Sequence, residues 1–137
     1  MVTLSKELVL LGDSIIDNKT YVLDGEKSVL EHIQSKTDTK TVQLALDGAT
    51  TGDVLDNQLN NISSEASHIV LSVGGNDLLN EIGFLMEDFK YTPNQVLERC
   101  YSLIAPITKK YESIVTTLQT SKIRANLLLC TVYEGDL

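Results

Sequence analysis

Three short segments carry the groups best suited to chemistry: Gly12-Asp13-Ser14, Asp47-Gly48-Ala49-Thr50-Thr51 and Gly74-Gly75-Asn76-Asp77. Ser14 supplies a hydroxyl that can act as a nucleophile, with its own N–H beside it. Gly48 offers a backbone N–H that a substrate oxygen can approach with no Cβ in the way. Asn76, after two glycines, adds a side-chain amide. Three such donors converging on one oxygen would stabilise the tetrahedral oxyanion of acyl transfer. Taken singly, each segment is ordinary turn chemistry. Together they are more informative, because each ends an apolar run.

Those runs read as buried strands: Glu7–Gly12, Thr41–Leu46, Ser67–Val73 and Asn126–Tyr133. Between them lie helical patterns. Glu26–Lys36 places Val29, Leu30 and Ile33 on one face. Asp53 can cap a helix carrying Leu55, Leu59 and Ile62. Thr92-Pro93-Asn94-Gln95 is a helix start, with Thr92 as cap and Gln95 reaching back to it. The series Val96, Cys100, Leu103, Ile107, Tyr111, Ile114 and Leu118 then holds one face for about six turns. Pro106 should kink that helix or split it. Residues Gly83–Tyr91 suit a loop or short helix near the site.

Strands alternating with helices predict βαβ crossovers and a parallel sheet with helices on both faces. Ligands of such sheets gather beyond the carboxyl ends of the strands. Those ends carry the three chemistry-bearing segments, and Tyr133-Glu134 after the fourth strand.

The set Gly12-Asp13-Ser14-Ile15-Ile16-Asp17-Asn18, Asp47-Gly48-Ala49-Thr50-Thr51 and Gly74-Gly75-Asn76-Asp77 resembles the first three blocks of the SGNH (GDSL-type) hydrolases. That family comprises esterases, lipases and acetylhydrolases. The resemblance implies a flavodoxin-like three-layer α/β/α fold. Four strands of the parallel sheet would be present, with the fifth strand and last helix missing. It implies Ser14 as nucleophile, and the Ser14 N–H, Gly48 N–H and Asn76 side chain as oxyanion hole. Asp13, Asp17 and Asn18 would shape the loop, and Asp77 would cap the segment after the third strand.

A serine nucleophile needs a base, normally an imidazole oriented by a carboxylate. The resembled family draws both from an Asp-x-x-His block that these 137 residues do not contain. Of the two histidines, His68 opens the third strand. That puts it on the order of 20 Å from Asn76 at the strand's other end. His32 sits in the first crossover helix. Neither is the expected base. Leu127, Leu128 and Leu129 predict burial on both faces of the fourth strand, which requires neighbours beyond it. The expectation is therefore one SGNH-like domain over residues 1–137, C-terminally incomplete, impaired as an ester hydrolase and open to self-association along a bare edge strand.

Composition agrees with a globular fold: 42% of residues are hydrophobic and 22% charged. A net charge of -8 disfavours nucleic acid and anionic membrane surfaces. No apolar run approaches the length of a membrane span, and no signal-peptide pattern opens the chain, so a cytoplasmic location is expected. Cys100 and Cys130 read as packing residues. No cofactor or metal is expected, and the expected partner is a small acyl ester. A crevice that binds an acyl ligand without turning it over is the alternative. A phosphoacceptor receiver domain fits less well, lacking the acidic pair after the first strand and the Lys after a fifth.

Overall fold

A computed structural model describes residues 6–83 and 91–132. The expectations for residues 84–90 and for Tyr133-Glu134 lie outside the described residues. Strands β1 (Glu7–Gly12), β2 (Lys40–Gln43), β3 (Ala66–Ser72) and β4 (Asn126–Leu129) form one sheet in the order β2-β1-β3-β4. Every pairing is parallel. All carboxyl ends therefore point one way. Ser14 lies just past β1, Gly48 just past β2 and Asn76 just past β3, at the same edge of the sheet. The chain leaves β1 for β2 on one side and later takes up β3 on the other. The crevice between β1 and β3 is thus the point where the strand order reverses, the usual ligand position in such sheets.

Each face of the sheet has its own core. On one, Val9, Leu11, Ile69, Leu71 and Val73 pack with Val54, Ile114 and Leu118. Residues 54, 114 and 118 come from two helices, α2 (Thr51–Asp53, continuing through a π turn, Val54–Gln58) and α4 (Pro93–Thr120). On the other face Leu10, Ile16 and Ala45 are buried, joined by Leu30 and Ile33 of α1 (Val29–Gln34). The α4 series from Val96 to Leu118 is buried or half-buried throughout, as its spacing predicts.

Several local expectations need correction. Pro106 does not split α4, which runs for 28 residues. Pro106 is exposed, so the carbonyl it leaves without an N–H partner faces water and the helix continues. Thr50, not Asp53, caps α2; Asp53 is its capping-box partner, and each satisfies a backbone N–H of the other. The second and fourth strands are shorter than their apolar runs. Burial on both faces of β4 is not found: Leu127 packs into the core, but Leu128 is 61% exposed. The six-residue α1 covers the β1 side of that face, and no described element reaches β4.

Two local features anchor the loop after β1. Gly12 has φ +132, and a Cβ there would lie 1.8 Å from the Ser72 carbonyl oxygen. β1 and β3 can approach this closely only with glycine at that position. The Gln58 side chain, presented by the π turn, accepts from the Gly12 N–H at 2.8 Å and donates to the Gly12 carbonyl at 2.9 Å. Farther out, Lys19 pairs with Glu31, whose second oxygen accepts from the Ser28 N–H at 2.7 Å to complete the α1 capping box.

Gly12→Ala should destabilise the protein by about 3 kcal/mol or more, since both the φ and the contact are unfavourable. A lower urea midpoint at unchanged m-value is the expected reading; an unchanged midpoint contradicts it. Lys19 first, and then the Ser28 N–H, hold the Glu31 pKa at about 2, against 4.5 for an unperturbed glutamate. The folded state thus favours the carboxylate. Its stabilisation is present above pH 4.5 and is lost as pH falls toward 2. Denaturation at a series of pH values should show the gap between wild type and Glu31→Gln closing over that window, and a pH-independent gap would refute the assignment.

Candidate active site

The crevice between β1 and β3 opens into a cavity of about 480 Å³ whose walls include both Ser14 and Asn76. Asp13, Ile15, Val73, Leu79 and Val132 also line it. Gly48 lines a neighbouring trough of about 560 Å³ with Asp47, Asp53, Asn57 and Gln58. Ser14 and Asn76 therefore share one cavity, and Gly48 stands on the rim of the next.

Ser14 is half-buried. Neither its hydroxyl nor its N–H makes a hydrogen bond among the described residues, and the Gly48 N–H makes none either. Gly48 has φ +81, a conformation that favours glycine, with open space where a Cβ would stand. Asn76 donates one Nδ2 proton to the Ala49 carbonyl at 3.0 Å, which leaves the second for another acceptor.

The remaining expected residues tie the loops together. Asp13 accepts from the Ile15 N–H at 3.0 Å. Burial raises the Asp13 pKa; the Ile15 N–H opposes the shift, and the Asp77 and Asp47 charges add to it. Asp17 accepts from the Asp47 N–H and from the Gln43 side chain, both at 2.9 Å. That joins the loop after β1 to the loop after β2. Asn18 accepts from the Val29 N–H at 2.8 Å and so fastens the first residue of α1. The Tyr21 hydroxyl donates to Asp47, whose carboxylate raises the phenol's pKa.

Asp77 does not cap its own helix, α3 (Gly75–Glu81). Its carboxylate turns instead to the loop after β2. There it accepts from the Thr51 N–H at 2.8 Å and from the Thr51 hydroxyl at 2.5 Å. Sequence reasoning missed Thr51 and Gln58 as partners in this network. Thr51 is fully buried and Gln58 nearly so, and a buried polar side chain implies a bonding partner. Burial at those two positions is not visible in the local pattern.

The histidines stand away from this edge. His68 lies near the start of β3, where its ring nitrogens meet Ser67 and Asn126. His32 is exposed on α1. Among the described residues no cluster of His, Cys, Asp and Glu could hold a metal ion, and no helix is long and apolar enough to cross a membrane.

No protein-family model matches the chain, and neither does any curated protein sequence. Solved structures do match. A phospholipase A1 from Streptomyces albidoflavus shares 20% identity at a TM-score of 0.61, over 90% of this chain and 58% of that one. An extracellular lipase from Streptomyces rimosus gives the same identity, score and coverage. A psychrotrophic esterase from Pseudoalteromonas shares 19% identity at a TM-score of 0.60, over 93% of this chain and 60% of that one. The chain thus spans about 58–60% of the length of these structures. The match is one of fold: this is the flavodoxin-like α/β architecture on which those lipases and esterases are built.

Proposed function

We propose that the protein is a serine ester hydrolase of the SGNH type that forms an acyl-enzyme on Ser14. The observation that carries this reading is the cavity shared by a serine hydroxyl without a partner among the described residues and an asparagine amide with a proton to spare. The Ser14 oxygen attacks the ester carbonyl and its proton passes to a base. The carbonyl electron pair collects on oxygen, where the Ser14 N–H, the Gly48 N–H and the Asn76 amide donate to it. Collapse expels the alcohol and leaves an ester on Ser14, which water hydrolyses to a carboxylic acid and free serine. His32 and His68 both stand away from Ser14, and neither serves as that base. Without it the oxyanion donors alone sustain slow turnover of activated esters.

The substrate's acyl group rests on Ile15, Leu79 and Val132, three exposed apolar side chains that converge on the Ser14 cavity. Apolar walls with a few polar groups are the usual make-up of a small-molecule site. Asp13 lines that cavity, and the charges of Asp77 and Asp47 nearby act on its carboxyl. Their charge favours a neutral acyl group over an anionic one. The remoteness of both histidines also suits a second reading, a crevice that holds an acyl ligand without cleaving it. Thermal stabilisation by such a ligand, surviving Ser14→Ala in a chain with no turnover, would favour that reading.

With p-nitrophenyl acetate, wild type should exceed Ser14→Ala, and Asn76→Ala should fall by about 100-fold or to the Ser14→Ala background. Equal rates in all three would end the hydrolase reading. Leu79→Ser should lower kcat/KM for p-nitrophenyl butyrate by about fivefold more than for the acetate, because only the longer chain loses apolar contact. Equal losses would remove Leu79 from the acyl surface.

A further inference from the structure

We propose that Asp77 is a positioning residue for acylation at Ser14: its carboxylate grips Thr51 and so holds the Gly48 loop in line with Asn76, without touching the substrate. This rests on the oxyanion role proposed for Gly48 and Asn76.

Asp77 is only 8% exposed and is absent from the walls of the Ser14 cavity. Among the described residues no cation pairs with it. Burying an unpaired carboxylate is costly unless hydrogen bonds satisfy it. Both oxygens are satisfied by one residue, Thr51, through its N–H and its hydroxyl. Thr51 opens α2, where a helix leaves backbone N–H groups without internal partners, so a carboxylate is well placed there.

The arrangement gains its meaning from the neighbouring residue. Asn76 and Asp77 are consecutive in the first turn of α3, and they address Ala49 and Thr51 of a single loop. Asp17 holds the other side of that loop through the Asp47 N–H. Gly48 lies between these anchors. The Ala49 N–H closes a turn around it onto the Leu46 carbonyl at 3.0 Å, so the direction of its N–H is set by its neighbours. Releasing Thr51 loosens that side of the loop, leaving the Asn76–Ala49 bond to hold it. A misplacement of about 1 Å in such a donor costs up to roughly 100-fold in rate.

Substitutions separate grip from charge. Asp77→Ala removes both acceptors. Asp77→Asn keeps one acceptor for the Thr51 N–H, and its NH₂ can donate to the Thr51 hydroxyl, which reverses its role. Thr51→Val keeps the N–H bond and deletes the hydroxyl bond. A grip ranks wild type and Asp77→Asn together, Thr51→Val lower and Asp77→Ala last. A role through charge would make Asp77→Asn resemble Asp77→Ala.

The test is hydrolysis of p-nitrophenyl acetate by the full chain, with the Ser14→Ala rate subtracted. Asp77→Ala should lower kcat about tenfold with KM within about twofold of wild type, and Asp77→Asn should recover to within about threefold. A Ser14-dependent rate that Asp77→Ala leaves within about twofold overturns the positioning role alone. An Asp77→Asn loss equal to that of Asp77→Ala overturns it as well. A wild-type rate equal to Ser14→Ala defeats the acylation reading first, and this role with it. Should Asp77→Ala fail to fold, Thr51→Val decides: an intermediate loss in kcat at a near-native urea midpoint supports the grip, and an unchanged kcat overturns it.

Discussion

The N–H of Gly48, without a partner among the described residues, is held in place by hydrogen bonds made on either side of it. Asp17, from the loop after β1, accepts from the Asp47 N–H. Asn76 and Asp77, after β3, bind the Ala49 carbonyl and the Thr51 N–H. Neither flank can shift without breaking contact with another strand end. Side-chain carboxylates and amides add to backbone bonds that continue past the strands, such as the Leu46 N–H to the Gly12 carbonyl at 3.0 Å, and so tie the strand ends to one another. The cost is buried negative charge, visible in the upward shift of Asp13, which Asp77 and Asp47 deepen. A fold that tolerates this can keep several polar groups together at the edge of the sheet, where they can act on a developing charge.

Below that edge the constraint is topological. Parallel strands deliver every loop to one side, and the order β2-β1-β3-β4 opens the crevice between β1 and β3. Gly12 lets those two strands approach closely, and Gln58 secures the glycine from the neighbouring π turn. Ser14, two residues later, inherits a rigid base. Solved lipases and esterases share the fold at about 20% identity.

Much of this was legible in the sequence because it rests on period and punctuation. The apolar runs ending in Gly12 and before Gly74 announced buried strands. The 3-4 spacing from Val96 to Leu118 named the buried face of α4 residue by residue. What the sequence did not show depends on partners distant along the chain. The Asp77–Thr51 bond spans 26 residues and the Gln58–Gly12 bond 46. No local pattern distinguishes a helix-capping aspartate from one turned to a neighbouring loop. Pro106 does not split α4 because its effect depends on which side of the helix faces water. Leu128 misled because three consecutive leucines record what a strand can bury and not what is present to cover it.

The central claim is that the Ser14 hydroxyl and the Asn76 amide act on one atom. A crystal structure of the protein soaked with butylboronic acid tests it most directly, since a boronate on serine imitates the tetrahedral intermediate. The account predicts boron bonded to Ser14 Oγ, with one boronate oxygen about 3 Å from Asn76 Nδ2 and from the Gly48 nitrogen. Boron bound at another residue, or an adduct on Ser14 whose oxygens face away from both donors, would contradict it.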